Sequence, residues 1–170
     1  SATTAIDLGG PINKAAGFIA FSFTTDHVLP VTARAIAIVI PPIGLGLATL
    51  IDRRLTGRRL FSSQLYPQGK TAIFLAFMGI SEGAIPFLLE SPLASIPAYM
   101  TGAIVGSTAA VALGAVQWFP ESAIWAWPLV SNLGAYMFGI ALGAVLTALI
   151  TIFIRNILYK KGKLHIEAMS

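Results

Sequence analysis

The sequence predicts an all-α integral membrane protein with several spans, discontinuous helices and one re-entrant hairpin. Of its 170 residues 56% are hydrophobic and only 11% are charged, and the mean hydropathy is +0.80. A soluble globular domain carries roughly 25% charged residues. Five apolar segments have about the 20 residues or more that a membrane-spanning helix needs. The chain is therefore expected to be embedded in a lipid bilayer.

The distribution of basic residues predicts the orientation of these segments. The apolar segments lie at 4–25, 29–51, 71–89, 93–119 and 129–154, and a basic tail follows at 155–170. Nine of the eleven Lys and Arg residues lie either in the loop after the second segment or in the tail: Arg53, Arg54, Arg58, Arg59, Lys70, Arg155, Lys160, Lys161 and Lys163. Excess Lys and Arg close to span ends marks the cytoplasmic side. Both regions are therefore expected to be cytoplasmic.

This orientation makes segment 71–89 a re-entrant hairpin rather than a span. The chain must cross the membrane an even number of times between Lys70 and Arg155, and segments 93–119 and 129–154 already supply two crossings. From Thr71 to Glu82 there is about 16 Å of helix, which is roughly half of a hydrocarbon core about 30 Å thick. Gly79 and Gly83 are expected to give the backbone freedom for a turn, and Pro86 to interrupt the helix.

The hairpin stretch "GISEGAIPF" places Glu82 at this depth. An acidic side chain at the bilayer centre costs about 2.5 to 3.5 kcal/mol on insertion scales, and such residues usually mark substrate or ion pathways. Glu82, with its neighbours Ser81 and Gly83, is therefore predicted to form part of a substrate-binding site. The alternative is a single kinked transmembrane helix in which Glu82 pairs with a neighbouring helix for structural reasons.

The first segment contains a second helix break, "AIDLGGPINKAAG", with Asp7, Asn13 and Lys14 around it. Helix ends at such a break expose unpaired backbone groups, which often contribute to transporter binding sites. We expect Asn13 and Lys14 to line the same cavity as Glu82. The alternative is that Lys14 only pairs with Asp7 or extends to the membrane interface.

Three further patterns favour structural roles. Pro41 and Pro42, in the middle of the second segment, predict a kink. Small residues recur every four positions in the last two segments, which predicts close helix packing: Gly102, Gly106, Ala110, Gly114, Gly139 and Gly143. Three tryptophans around the outer loop are expected to be interfacial anchors: Trp118, Trp125 and Trp127.

The sequence contains no pattern for catalysis, a cofactor or nucleic-acid binding. It has no cysteine and only two histidines, which excludes thiol chemistry and cysteine-containing metal sites. No phosphate-binding loop, dinucleotide fingerprint or nucleophile motif occurs. No catalytic residue, metal or cofactor is predicted, and the net charge of +4 is interpreted as a topology signal.

Three motifs together resemble the enzyme IIC permease of the bacterial phosphoenolpyruvate:sugar phosphotransferase system, fructose branch. They are "DLGGPINKAA", "PPIGLGLAT" and "GISEGAIPF", and they occur in the family's order. The stretches "GKTAIFLAF" and "IPAYMTGAIVGS" are similar to the segments that flank the last motif in the family. The resemblance runs from the start of the chain through the last span and places it in the C-terminal half of such a permease.

The resemblance implies a multi-span transport domain in the bacterial cytoplasmic membrane, with its C-terminus in the cytoplasm. It implies uptake of fructose or a related sugar, coupled to phosphorylation of the sugar. The phosphoryl group would come from a phosphocysteine on a IIB domain, which works together with IIA. The chain would act as a phosphotransferase only together with IIA and IIB. Further expected partners are the lipid bilayer, an N-terminal IIC half and a second copy of the permease, but no nucleic acid.

The family motif implies that Glu82 contacts the sugar. Chemistry alone assigns Asn13 and Lys14 to sugar hydroxyls and Asp7 to positioning. Two other functions compete with this interpretation: a proton- or ion-coupled transporter in which Glu82 titrates and the sugar is not phosphorylated, and a structural membrane subunit without a ligand.

Overall fold

A computed structural model of the chain describes residues 8, 10–22, 30–117, 119 and 121–162. Its helices are α1 (Pro11–Ser22), α2 (Pro30–Thr56), α3 (Leu65–Phe77), α4 (Ile85–Glu90), α5 (Pro92–Ala112) and α6 (Leu133–Lys160). Two 3-10 segments, Glu82–Ala84 and Ile124–Leu129, precede α4 and α6. These described ranges contain no strand. Three helices are long and apolar enough to cross a membrane, over Val31–Thr56, Pro92–Ala112 and Leu133–Lys160. The prediction of an all-α integral membrane protein is confirmed.

Several helix bounds differ from those expected. Helix α2 runs without a break through Pro41 and Pro42, because neighbouring groups in a helical membrane protein can compensate for the missing N–H groups. Helix α6 does not end at residue 154 but continues to Lys160, so Arg155 belongs to the helix and not to the tail. Within the predicted span 4–25 the structure describes the helix Pro11–Ser22, and the rest of that span except residues 8 and 10 lies outside the described residues.

Small residues allow α5 and α6 to pack closely, as the four-residue spacing predicted. A Cβ atom added to Gly102 would lie 2.5 Å from the carbonyl oxygen of Gly143, and one added to Gly106 would lie 2.5 Å from that of Gly139. Real Cβ atoms do not approach oxygen atoms so closely, so a side chain at either glycine would push the helices apart. The predicted packing role is confirmed for Gly102, Gly106, Gly139 and Gly143, but Gly114 lies beyond the end of α5 and a Cβ added there would contact nothing.

Helix α2 is the most enclosed of the three candidate spans and packs against α3, α5 and α6. Its contact with α3 also depends on glycine, because a Cβ on Gly46 would lie 2.5 Å from the carbonyl oxygen of Gly69. Buried side chains of α2, α3, α4, α5 and α6 meet in one apolar cluster, which includes Leu45, Ala72 and Phe87. The short helices α3 and α4 are thereby held against the spanning helices.

Candidate functional site

The chain reverses direction between α3 and α4, and Gly79 makes the turn. Its φ is +76°, in the left-handed region that favours glycine. A Cβ at this position would also lie 3.0 Å from the backbone nitrogen of Ala123. Any other residue at 79 would therefore strain the turn and collide with the loop between α5 and α6. The turn freedom predicted for Gly79 is confirmed.

The returning chain resumes helical geometry at once. Ser81 has φ −83° and ψ −19°, the 3-10 segment Glu82–Ala84 follows, and Ile85 begins α4. Pro86 lies in the first turn of α4, where a backbone N–H has no partner within the helix. The proline therefore costs α4 no hydrogen bond. Pro86 was expected to interrupt a helix, but it lies at the start of one.

Glu82 stands at the tip of this hairpin. Its side chain is exposed, whereas Ser81 beside it is only 5% exposed. No hydrogen bond or ion pair joins the Glu82 carboxylate to any other residue that the structure describes. The tip of a helical hairpin in an apolar protein therefore presents a carboxyl group without a protein partner in the described ranges.

Gly83 has a different role from the one expected. It does not have a positive φ, but a Cβ added to it would lie 3.0 Å from Cα of Ala72 on α3. Gly83 therefore lets the returning chain lie close against α3. This contact fixes the backbone next to Glu82.

The two ends of the hairpin lie together. Glu90, the last residue of α4, accepts a hydrogen bond from the Ser62 hydroxyl, three residues before α3 begins. It also forms an ion pair with Arg155 of α6. We call this end of the hairpin, around Ser62 and Glu90, the base. Sequence reasoning missed both Glu90 and Arg155 because their partners are distant in the chain.

The loop between α5 and α6 covers the turn of the hairpin. Trp127 packs against Phe77 with ring centroids 5.7 Å apart, and its indole N–H donates to the carbonyl oxygen of Ser122 at 3.1 Å. The buried Gln117 side chain donates to the carbonyl oxygens of Phe119 and Glu121. Trp127 was expected to be an interfacial anchor, but it is only 5% exposed and holds this loop against the hairpin.

The first motif is described only in part. Asp7 lies outside the described residues, as does the side chain of Asn13, and Lys14 is exposed on α1. The helix begins at Pro11, directly after the two glycines of "GGP". Leu8, just before that break, is 1% exposed and belongs to the same buried cluster as Ala84 and Phe87 of the hairpin. A shared cavity for Asn13, Lys14 and Glu82 stays a prediction.

Glu82 and Lys14 carry polar groups that can form hydrogen bonds. No group of three His, Cys, Asp or Glu side chains that could bind a metal occurs among the described residues. Carboxylate oxygens accept hydrogen bonds and an ammonium group donates them, so Glu82 and Lys14 are suited to hydroxyl groups.

Sequence comparisons found relatives over almost the whole chain. It is 80% identical over 169 residues to the "Fructose-like permease IIC component 1" of Escherichia coli K12, an alignment that covers 99% of this chain and 41% of that protein. It is 34% identical over 155 residues to the "PTS system fructose-specific EIIC component" of Haloferax volcanii, covering 91% of this chain and 40% of the relative.

The name of a third relative includes IIB components as well as IIC. The chain is 35% identical over 147 residues to the "PTS system fructose-specific EIIB'BC component" of Rhodobacter capsulatus, covering 84% of this chain and 25% of that protein. The chain thus spans less than half the length of each of these relatives. No family model and no solved structure matches it.

Proposed function

Because the chain belongs to the fructose-like IIC permeases of the phosphotransferase system, we propose that it forms the sugar-binding part of a permease that couples uptake to phosphorylation. The observation that carries the proposal is Glu82, an exposed carboxylate at the tip of a glycine-turned hairpin. The same residue lies in the motif through which the sequence resembles the family. Membership of the family indicates the class of reaction, and the hairpin is the proposed position of the sugar-binding site.

The hairpin is proposed to be re-entrant, entering and leaving the membrane on the cytoplasmic side. Helix α3 has 13 residues and α4 has six, which corresponds to about 20 Å and about 9 Å of helix. Neither length spans a hydrocarbon core of about 30 Å. The contact between Glu90 and Ser62, which brings the two ends together, supports this geometry.

We assign the sugar hydroxyls to Glu82 as hydrogen-bond acceptor, with Ser81 and Gly83 forming the backbone beside it. Asn13 and Lys14 are proposed to bind further hydroxyls from α1, with Asp7 positioning Lys14. Proximity of the two motifs is supported by Leu8, which is buried in the same cluster as the hairpin residues Ala84 and Phe87. A site built on such bonds discriminates between sugars, because a sugar that lacks one hydroxyl leaves one of these polar groups without its partner.

The phosphoryl group is proposed to come from a separate IIB domain, which IIA rephosphorylates. The 170 residues contain no cysteine, so a phosphocysteine would lie outside them. The EIIB'BC name of the Rhodobacter relative supports a IIB partner. An N-terminal IIC half and a second permease copy complete the proposed assembly, with the C-terminus in the cytoplasm.

The test is uptake of radiolabelled fructose and related sugars into membrane vesicles that contain the complete permease and phosphorylated IIB. We expect the sugar inside to be phosphorylated, and we expect Glu82→Ala to abolish this while Lys160→Ala, a change of an exposed charged residue at the end of α6, preserves it. Uptake of unmodified sugar that follows the titration of Glu82 would instead indicate an ion-coupled transporter. Full activity of Glu82→Ala would contradict the site.

A further inference from the structure

We infer that Arg155 and Glu90 are positioning residues, which fix the base of the hairpin and thereby the place of Glu82. The inference rests on the proposed function, because it concerns how the proposed sugar-binding carboxylate is held.

Arg155 is the largest fully buried side chain in the described part of the chain, with 0% exposure. Its Nε donates to the carbonyl oxygen of Leu60 at 2.8 Å, and its guanidinium lies 4.1 Å from the centre of the Phe61 ring. A third contact is the ion pair with Glu90. One cation of α6 thus holds both the loop before the hairpin and the last residue of its returning arm.

The loop that Arg155 holds is itself fixed from the opposite side. Asp52, 1% exposed near the end of α2, accepts hydrogen bonds from the backbone N–H of Leu60 at 3.0 Å and from the Tyr66 hydroxyl at 2.5 Å. Both backbone groups of Leu60 are therefore bound to buried charged side chains, one from α2 and one from α6. The base of the hairpin is attached to two candidate spanning helices at once.

The returning arm of the hairpin, from Glu82 to Glu90, connects the fixed base to the tip. Ser81, Ala84 and Ile85 all have right-handed helical φ and ψ, so the chain from the 3-10 segment into α4 is one short helical rod. Glu82 begins this rod and Glu90 ends it, about 12 Å apart at 1.5 Å per residue. A displacement of Glu90 therefore moves Glu82.

A purely stabilising role explains this arrangement less well. Burying the Arg155 guanidinium removes its charge from water, whereas the Glu90 side chain stays 26% exposed, so an apolar residue of similar shape in place of Arg155 would often stabilise a protein as much or more. Within the described structure Nη1 of Arg155 is also buried without a hydrogen-bond partner, which makes the burial less favourable still. The charged pair gives the end of α4 a defined position, which an apolar pair would not do.

The experiment compares Glu90→Gln and Arg155→Lys in the complete permease with Arg54→Gln, a change of an exposed arginine close to the same end. Two quantities are measured on folded protein: sugar affinity by calorimetry, and the distance between nitroxide labels at Ile80→Cys and Leu149→Cys. Ile80 is next to the turn and 38% exposed, and Leu149 is on α6 and 43% exposed. Ser62→Ala, which removes one bond to Glu90 and keeps the ion pair, serves as a milder variant if the others do not fold.

We expect Glu90→Gln and Arg155→Lys to weaken sugar binding by about tenfold to a hundredfold, as misplacement by an ångström can. The label distances should shift or broaden in both variants, less so in Ser62→Ala, and not at all in Arg54→Gln. Unchanged label distances in folded Glu90→Gln and Ser62→Ala would overturn the inference. If the wild-type permease binds no sugar, the proposed function fails, and the label distances still decide whether the base positions the tip.

Discussion

Gly106 of α5 and Gly139 of α6 approach each other reciprocally, since a Cβ on either residue would lie 2.5 Å from the carbonyl oxygen of the other. This contact joins two of the candidate spanning helices along their small-residue faces. Lipid tails are as apolar as the side chains, so helices in a membrane associate through such close packing.

Gly106→Ala and Gly139→Ala should therefore each lower the free energy of unfolding by about 1 to 3 kcal/mol through overpacking. Gly134→Ala is the matched control, because the nearest atom to its added Cβ would be Asn132 Oδ1 at an ordinary 3.6 Å. Thermal unfolding in detergent measures the effect. Equal unfolding temperatures for Gly106→Ala and Gly134→Ala would show that the close contact is unimportant.

The proposed topology predicts which positions react with a membrane-impermeant thiol reagent from each side. Cysteines at Ser63, Lys70 and Leu89 should all be on the cytoplasmic side, since the hairpin begins and ends there. A cysteine in the predicted outer loop should react from outside, and Glu121 is the position for it because it is exposed, whereas Ser122 beside it is only 5% exposed. Reaction of Lys70 and Leu89 from opposite sides would rule out the hairpin.

Asp52 should contribute strongly to the stability of the loop before the hairpin. Asp52→Asn removes a charged acceptor from the Leu60 N–H and the Tyr66 hydroxyl, so the free energy of unfolding should fall by about 1 to 3 kcal/mol. Burial raises the pKa of Tyr66, helped by its hydrogen bond to Asp52, so the phenol remains a donor at neutral pH.

Tyr66→Phe is the matched variant for this pair, because it removes one bond and leaves the Leu60 N–H bonded. It should lower the free energy of unfolding by about 1 kcal/mol. Denaturant unfolding of the two variants compares them directly. A larger loss in Tyr66→Phe than in Asp52→Asn would be inconsistent with the hydrogen-bond arrangement.

The sequence predicted the features that depend on local pattern, and missed those that depend on distant partners. Apolar length and basic clustering indicated the spanning helices, and the glycine in "GISEG" indicated the turn at Gly79. Nothing near Arg155 in the chain reveals Glu90, which lies 65 residues away, so a basic residue after an apolar run was assigned to the tail.

The roles of aromatic and small residues were also difficult to predict from local sequence alone. A tryptophan in an outer loop suits the membrane interface as well as a contact with Phe77 and Tyr136, and only the fold distinguishes the two for Trp127. Gly83 likewise suits either a turn or a close contact. The candidate site could thus be located from its motifs, but the contacts that hold it could not.

Lys14 should affect sugar binding without affecting stability, because its side chain is exposed. Lys14→Ala in the complete permease is expected to weaken sugar affinity about tenfold or more, through loss of a charged hydrogen bond of about 1.5 to 3 kcal/mol. Lys160→Ala, another exposed lysine, is the control. Calorimetry with fructose and related sugars measures both, and equal affinities in the two variants would remove α1 from the proposed site.

The central claim, that Glu82 binds the sugar, is tested most directly by calorimetry of sugar binding to the complete permease, comparing the wild type with Glu82→Gln and Glu82→Ala. Glu82→Gln keeps the shape and one acceptor oxygen but loses the charge, so binding should weaken; Glu82→Ala removes both acceptors and should abolish binding. Folding is checked by thermal unfolding, which the change of an exposed side chain should leave nearly unaltered. Wild-type sugar affinity in folded Glu82→Ala would contradict the account.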